Sequence, residues 1–147
     1  MPAAGRTDPE RGKMKRILIV DDEPTILMTL SHLLGNAETT VITCERMEEA
    51  EAALQYYAFD LVIADLRLTG MDGVEGLELL SYVKKLNAKT EVIIMTAYGT
   101  HEIEEKAYQA GAFHYYEKPI DLSDLTVRVR TLGITVPDRK SPPGRQS

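Results

Sequence analysis

Hydrophobic and polar residues follow two different periods along this chain. Five short apolar runs predict β-strands, and three of them (ILIV, LVIA and VIIM) are nearly continuous. A strand covered by helices on both faces carries apolar residues at almost every position, so these runs favour a buried parallel sheet. Between the runs, apolar residues recur every three or four positions, which predicts amphipathic helices. The predicted strands cover residues 16–21, 39–43, 60–65, 91–96 and 112–117.

The five predicted helices carry boundary signals as well as an apolar face. Pro24 suits the first turn of the first helix and Gly35 its end, while Gly111 ends the fourth helix and Asp121 fits the N-cap of the fifth. The apolar faces consist, helix by helix, of Ile26, Leu27, Leu30, Leu33 and Leu34; Ala50, Ala53, Leu54 and Tyr57; Leu77, Leu80, Val83 and Leu86; Ile103, Ala107 and Ala110; and Leu122, Leu125, Val129 and Leu132.

Strands that alternate with helices of this length are joined by right-handed crossovers and form a parallel sheet. The predicted fold class is therefore α/β, a (βα)5 domain over residues 15–132 with helices on both sides of a five-stranded sheet. The polar residues 1–14 and the Pro-rich residues 133–147 are predicted to be a disordered N-terminal extension and a disordered C-terminal tail.

The composition of the 147 residues fits one globular domain, with 44% hydrophobic and 27% charged residues. No apolar run approaches the about 20 residues of a membrane span, and the N-terminus lacks the apolar stretch of a signal peptide. The single cysteine, Cys44, excludes an internal disulfide framework and a multi-cysteine zinc site. We expect a cytoplasmic protein that does not associate with membranes.

The net charge of −6 is distributed unevenly. Residues 17–127 contain 7 basic and 20 acidic residues, whereas both flanks are basic. Contact with nucleic-acid phosphates requires clusters of basic residues, so we expect no direct binding of nucleic acid by this acidic body. Short charged flanks of this kind are usually solvated.

Polar residues whose side chains can take part in a reaction follow four of the predicted strands. Asp21 and Asp22 close the first strand, Asp65 the third, Thr96 the fourth and Lys118 the fifth. The carboxyl ends of parallel strands meet at one edge of the sheet, so these side chains can share a pocket. Crowded carboxylates suit a hard divalent cation such as Mg²⁺ and leave an oxygen that can act as a nucleophile. A lysine and a hydroxyl can contact phosphoryl oxygens, so the set is typical of phosphoryl transfer to an aspartate.

Four motifs carry these residues in a fixed order: ILIVDDEP, FDLVIADLRLTGMDG, VIIMTAYG and GAFHYYEKP. In this respect residues 15–132 resemble the response-regulator receiver domain of bacterial two-component signalling. The resemblance implies a flavodoxin-like three-layer sandwich with strand order 2-1-3-4-5. It also implies a phosphorylation-dependent switch that receives its phosphoryl group from a sensor histidine kinase or a histidine phosphotransfer protein.

The resemblance assigns a metal site and a phosphoacceptor. Asp65 matches the phosphoacceptor, and it also contacts the metal ion. Asp22 matches the direct metal ligand, Asp21 the residue that holds metal-bound water, and the backbone carbonyl of Arg67 the remaining protein ligand. The cofactor implied is Mg²⁺, for which Mn²⁺ can substitute.

The remaining matches concern the response to phosphorylation. Thr96 matches the switch hydroxyl that moves towards the phosphoryl group, and Tyr115 matches the aromatic rotamer switch, although packing at a strand end is the alternative for this tyrosine. Lys118 matches the lysine that contacts the phosphoryl group, and Pro119 follows a peptide bond that is cis in the family.

Output is implied to pass through the face formed by the fourth helix, the fifth strand and the fifth helix. The expected partner is a downstream protein or an effector domain, and phosphorylation can also produce a homodimer. The chain either acts alone or is a receiver from a longer protein, and the residues leave both alternatives open.

Two features depart from the family pattern. Thr69 occupies a position where the family often has proline, and GMDGVEGLELL is longer than the usual junction between loop and helix. Both concern the geometry of residues 66–76. The bulky residues Arg67 and Tyr98, two positions beyond Asp65 and Thr96, are expected to line the approach of water and to slow dephosphorylation.

Other functions fit the residues less well. A Mg²⁺-dependent aspartate-nucleophile phosphatase typically has an Asp-x-Asp pattern, but Arg67 occupies the second acidic position. A flavodoxin-like cofactor binder would place an anionic flavin phosphate in an acidic pocket. An interaction module that is never phosphorylated is the third alternative. We therefore predict a regulatory phosphoacceptor domain rather than an enzyme.

Overall fold

The computed structural model of the protein describes residues 14–67 and 75–138. Strands and helices alternate five times along these residues, as the hydrophobic pattern predicts. The strands are β1 (Lys15–Val20), β2 (Thr39–Cys44), β3 (Leu61–Asp65), β4 (Glu91–Thr96) and β5 (His114–Glu117). The helices are α1 (Pro24–Leu34), α2 (Met47–Tyr56), α3 (Glu75–Leu86), α4 (His101–Gln109) and α5 (Leu122–Thr131).

The five strands form one parallel sheet in the order β2-β1-β3-β4-β5. The predicted α/β fold class, with its flavodoxin-like topology, is confirmed. The inner strands are almost completely buried, which explains why their sequences are continuously apolar. The predicted strand limits differ by one or two residues from the observed ones at several ends, and Asp21 lies just beyond β1 rather than within it.

Alternate residues of each strand enter two separate hydrophobic clusters, one on each face of the sheet. Leu18 and Val20 of β1 pack with helices α2, α3 and α4, whereas Ile17 and Ile19 pack with α1 and α5. This division follows from the strand period of two, because successive side chains point to opposite faces. The sheet is therefore the middle of three layers, and the ends of its strands lie along its two opposite borders.

The local signals at the helix ends act as the sequence predicts. Pro24 is the first residue of α1, and Gly35 is its C-cap. The carboxylate of Asp121 caps α5 by accepting hydrogen bonds from the backbone N–H groups of Ser123 and Asp124. Gly111 follows α4 with a φ of +106°, a conformation that L-residues with a side chain rarely adopt.

The packed body extends beyond residue 132, where the sequence places the end of the domain. Ile134 and Val136 are buried, with exposed fractions of 2% and 4%, and they join the cluster formed by α1 and α5. The carbonyl oxygen of Thr135 accepts hydrogen bonds from the side chains of Asn36 and Thr39. The prediction of a disordered tail is thus wrong for its first residues, because the alternating apolar side chains of Ile134 and Val136 pack into the core.

Residues 1–13 of the predicted N-terminal extension, residues 139–147 of the predicted tail, and Thr69 with most of its loop lie outside the described residues. Within residues 14–67 and 75–138, no helix is long and apolar enough to cross a bilayer.

Candidate functional site

The carboxyl ends of four strands meet at one edge of the sheet and carry the predicted site residues. Asp21 directly follows β1, Asp65 ends β3 and Thr96 ends β4. Asp65 pairs in register with Met95, the neighbour of Thr96. Thr96 pairs with Glu117, the neighbour of Lys118. The fold therefore brings the side chains that lie far apart in the sequence to one end of the sheet.

Three aspartates form a compact cluster at this edge. Asp21, Asp22 and Asp65 each offer a carboxylate oxygen, and these oxygens lie within 4.8 Å of one another. Asp21 is completely buried and Asp65 is 5% exposed, whereas Asp22 is exposed to solvent. Two carboxylates thus lie inside the protein, and the third stands at the entrance from solvent.

The ammonium group of Lys118 is the counter-charge of the cluster. Its Nζ lies 2.8 Å from Oδ2 of Asp21 and 3.4 Å from Oδ2 of Asp65. A third carboxylate, that of Glu23, lies 3.3 Å from the same nitrogen. Glu23 was not among the site residues predicted from the sequence, although its position directly after Asp21 and Asp22 is a signal that it belongs to the same site.

Burial changes the ionisation of the two inner aspartates. Burial, together with the negative charge of Asp21, raises the pKa of Asp65 to about 6, in spite of the nearby Lys118. Burial also raises the pKa of Asp21, although Lys118 and the backbone N–H of Glu23 donate hydrogen bonds to it. The pKa of Lys118 is lowered by burial but raised further by the surrounding carboxylates, so that it remains a cation. The cluster as a whole carries more negative than positive charge.

The donor set fits a small, hard divalent cation. All three aspartates supply oxygen, the ligand atom that Mg²⁺ prefers, and the exposed side of the cluster allows the ion to keep several waters. One oxygen of each buried aspartate is held by a backbone N–H group. Asp21 accepts from Glu23 at 2.9 Å, and Asp65 accepts from Arg67 at 3.3 Å. These bonds help to orient the two carboxylates, as hydrogen bonds to the ligands of an ion site commonly do.

The side chain of Thr96 is buried next to this cluster. Its hydroxyl oxygen accepts a hydrogen bond of 3.2 Å from the backbone N–H of Tyr98. The hydroxyl proton remains available as a donor. The backbone carbonyl of Thr96 accepts from the N–H of Lys118 at 2.8 Å, and the peptide bond between Lys118 and Pro119 is cis. The strand ends that carry Thr96 and Lys118 are thus joined directly.

Tyr115 is 6% exposed, and its ring lies inside the protein. Its backbone N–H donates to the hydroxyl of Tyr108 on α4 at 3.1 Å. A methyl group built on Gly99, in the loop after β4, would lie within 3.0 Å of both the end of the Tyr115 ring and the Cγ2 methyl of Thr96, so the two side chains border the same small space.

Arg67 and Tyr98, two residues beyond Asp65 and Thr96, contact each other. Nη2 of Arg67 donates to the carbonyl of Tyr98 at 3.1 Å, and the guanidinium carbon lies 6.0 Å from the centre of the tyrosine ring. The loops after β3 and β4 are bridged in this way. That these two bulky residues line the approach of water and slow dephosphorylation stays a prediction, as does the metal-binding role of the Arg67 carbonyl.

A second residue that the sequence analysis missed is Gly76, in the first turn of α3. A methyl group at this position would lie 2.6 Å from Cα of Leu66 and 2.8 Å from the carbonyl oxygen of Asp65. Its N–H donates to the carbonyl of Leu66. Only glycine allows α3 to pack directly on the backbone that follows Asp65, and a glycine so early in a helix was the signal.

Comparison with known proteins agrees with this geometry. The family model described as "Response regulator receiver domain" matches residues 17–130, almost the whole predicted domain. This chain belongs to that family. It is accordingly a receiver domain of two-component signalling, a regulatory class whose members switch on phosphorylation.

Several curated response regulators are similar to the receiver domain. The response regulator protein PilR of Pseudomonas aeruginosa is 38% identical over 117 residues, which cover 80% of this chain and 26% of PilR. The DNA-binding transcriptional regulator NtrC of Salmonella typhimurium is 37% identical over 113 residues, covering 77% of this chain and 24% of NtrC. The chain therefore spans only about a quarter of the length of these relatives.

Solved structures of receiver domains have the same fold. The beryllofluoride-activated NtrC4 receiver domain dimer superposes with a TM-score of 0.73 at 28% identity, covering 81% of this chain and 96% of that one. A CheY-like receiver domain protein from Methanospirillum hungatei gives a TM-score of 0.74 at 32% identity, covering 82% and 94%.

Proposed function

We propose that the receiver domain accepts a phosphoryl group on Asp65 from a phosphohistidine of a sensor histidine kinase or a histidine phosphotransfer protein. The observation that carries the proposal is the contact of a buried Asp65 with Lys118 inside a cluster of acidic residues open to solvent on one side. In the transfer, a carboxylate oxygen of Asp65 forms the new O–P bond while the N–P bond of the donor histidine breaks.

Asp21, Asp22, Asp65 and the backbone carbonyl of Arg67 would hold Mg²⁺ or, in its place, Mn²⁺. The bound cation supplies positive charge that offsets the charge of the transferred phosphoryl oxygens. Asp22 is the exposed member of the set and presents its carboxylate at the entrance. Asp21 contacts Lys118 and receives the N–H of Glu23, so its role is to orient the lysine as well as to contribute charge.

Lys118 and Thr96 then stabilise the phosphorylated form. Lys118 already touches Oδ2 of Asp65, so its ammonium group can pair with a phosphoryl oxygen after a small movement. The Thr96 hydroxyl accepts from Tyr98 and keeps its proton for donation, which allows it to hydrogen-bond a second phosphoryl oxygen. Both groups favour the phosphorylated state over the free carboxylate and therefore bias a conformational equilibrium.

The chain's own residues favour a regulatory role over a phosphatase. An aspartate-nucleophile phosphatase uses a second carboxylate as acid and base, but Arg67 stands two residues after Asp65, and its guanidinium contacts Tyr98. Steady release of phosphate from a monoester, at a rate above that of Asp65→Asn, would support the phosphatase instead.

Output is proposed to pass from the site to the face formed by α4, β5 and α5. Tyr115 lies on β5 behind Thr96, so a change at Thr96 can reach this face through a buried contact. The partner would be a downstream protein or an effector domain in the cytoplasm, or a second phosphorylated copy of the domain. The known dimer of the activated NtrC4 receiver supports the last alternative by analogy.

The decisive experiment is phosphorylation by a small donor. Purified protein is incubated with Mg²⁺ and acetyl phosphate, and the intact mass is measured. We expect one phosphoryl group on the wild type and on Asp60→Asn, and none on Asp65→Asn. Asp60 is a matched control because it lies at the opposite edge of the sheet, where asparagine can still accept the N–H of Arg16. An adduct that persists in Asp65→Asn would refute the assignment.

A further inference from the structure

Gly99 lies in the loop between β4 and α4 at a point where no side chain fits. A methyl group built on its Cα would lie 1.8 Å from the hydroxyl oxygen of Tyr115 and 3.0 Å from Cζ of the same ring. It would also lie 2.8 Å from the Cγ2 methyl of Thr96. Contacts this short do not occur between non-bonded atoms, so either the ring or the loop would have to move.

The backbone at position 99 does not itself require glycine. Within the described residues, positive φ angles occur only at Gly111 and Gly133. Alanine could adopt the backbone conformation of Gly99, and the reason for the glycine is therefore the space that it leaves. That space is filled by the hydroxyl end of Tyr115.

The buried hydroxyl of Tyr115 has no hydrogen-bond partner among the described residues. A polar group in this situation opposes its own burial. The inward position of the ring is thus held by packing, in the hydrophobic cluster that Tyr115 shares with Ile94 and Ala107 and in the space beside Gly99, rather than by a polar contact of its hydroxyl. A balance of this kind is sensitive to the volume at position 99.

We propose that Gly99 is a positioning residue, which admits Tyr115 to its inward position beside Thr96 and so couples the two. The packing part of this inference, that Gly99 admits the ring of Tyr115, concerns the unphosphorylated protein and does not depend on the proposed function. The coupling part rests on the proposed function, because it requires Thr96 to respond to a phosphoryl group on Asp65.

The packing part is tested by the chemical reactivity of the tyrosines. Wild type and Gly99→Ala are treated with tetranitromethane without a phosphodonor, and nitration of each tyrosine is followed by peptide mass spectrometry. Tyr56 and Tyr98, 76% and 73% exposed, serve as reactive references, and the buried Tyr116 serves as the unreactive one. If the outward position of the Tyr115 ring is a minor state of the wild type, Gly99→Ala should make it the major state by excluding the inward position. We then expect nitration of Tyr115 to rise about tenfold or more. An unchanged rate at Tyr115 would overturn the proposal, because the loop would then have moved instead.

The coupling part is tested by a double-mutant cycle with a phosphoryl analogue. The affinity for beryllofluoride with Mg²⁺ is measured for wild type, Gly99→Ala, Tyr115→Ala and the double variant. We expect Gly99→Ala to weaken binding in the wild-type background and to have no effect once the ring is removed. An equal loss in both backgrounds would refute the coupling, since the effect would then come from the loop backbone.

A third variant separates the hydroxyl from the ring. Tyr115→Phe removes the atom nearest to the added methyl group, so Gly99→Ala combined with Tyr115→Phe should recover part of the lost affinity. No recovery would contradict the role given to the hydroxyl. Should wild type bind no beryllofluoride at all, the proposed phosphoacceptor function fails, while the nitration result still decides the packing of Tyr115.

Discussion

Replacing Asp65 by asparagine should stabilise the protein when no divalent cation is present. The carboxylate of Asp65 is 5% exposed, and burial with the charge of Asp21 raises its pKa to about 6 from the ordinary value of 3.8. Each pKa unit corresponds to about 1.4 kcal/mol, so the ionised carboxylate opposes folding by about 3 kcal/mol at neutral pH. Asparagine has nearly the same shape and carries no charge.

The sign of the pH dependence follows from the direction of the shift. The folded state binds the proton of Asp65 more tightly than the unfolded state does, so its contribution to stability is greatest at low pH. This contribution is lost as the pH rises from about 4 to above 6. The raised pKa of Asp21 acts in the same direction. Wild type should therefore lose stability over this range, and Asp65→Asn should lose less.

The assay is urea unfolding followed by circular dichroism between pH 4 and pH 7.5 in the presence of a chelator. We expect Asp65→Asn to be more stable than wild type by about 2–3 kcal/mol at pH 7 and by much less at pH 4. Asp22→Asn is the matched control, because water already solvates its exposed carboxylate, and it should change the free energy of unfolding by about 1 kcal/mol or less. A difference between wild type and Asp65→Asn that is the same at every pH would refute the reasoning.

Three further predictions concern the ion, the lifetime of the phosphorylated form and the C-terminal segment. Mg²⁺ at ten times its dissociation constant should stabilise wild type by about 1.4 kcal/mol and Asp22→Asn less, as measured by urea unfolding with and without the ion. Arg67→Ala and Tyr98→Ala should each shorten the half-life of the phosphorylated protein, followed by intact mass after the donor is removed; equal half-lives would contradict the shielding role. Ile134→Ala should destabilise the protein by about 2–4 kcal/mol, because its side chain is buried. The control is Val127→Ala, at an exposed position of α5, which should cost less than about 0.5 kcal/mol. Equal losses of stability would show that the segment around Ile134 does not pack on the core.

The sequence predicted the sheet and its helices because burial on both faces makes a strand continuously apolar. The strand order came from the resemblance, since periodicity alone says nothing about which strands are neighbours. The predicted end of the domain at residue 132 was wrong because the residues beyond it show too little hydrophobic pattern. Ile134 and Val136 are too few to form a recognisable pattern, and their burial depends on a cluster with residues of α1 and α5 that exists only in the folded protein.

The charged members of the site were accessible from the sequence because their position at strand ends is itself the signal. Glu23, Gly76 and Gly99 were not identified, since their importance lies in contacts that form only in the folded protein. Glu23 reaches Lys118, which is 95 residues away. The two glycines matter through a side chain that they lack. Gly76 is at least marked by its place in the first turn of a helix, whereas the sequence records the requirement at Gly99 only as one glycine among the ten of this chain.

The cost of burying Asp65 and its proposed chemistry are two results of one arrangement. A carboxylate with a pKa of about 6 is about nine-tenths ionised at pH 7, so the nucleophile is present although its charge is unfavourable. Lys118 cannot remove this cost, because it is shared among Asp21, Glu23 and Asp65. A divalent cation would relieve the excess of negative charge, and a phosphoryl group would then draw Lys118 away from its other carboxylates. If Asp65 is phosphorylated as proposed, Asp21 and Glu23 would compete with the phosphoryl group for the lysine, and this competition would limit the shift towards the phosphorylated state.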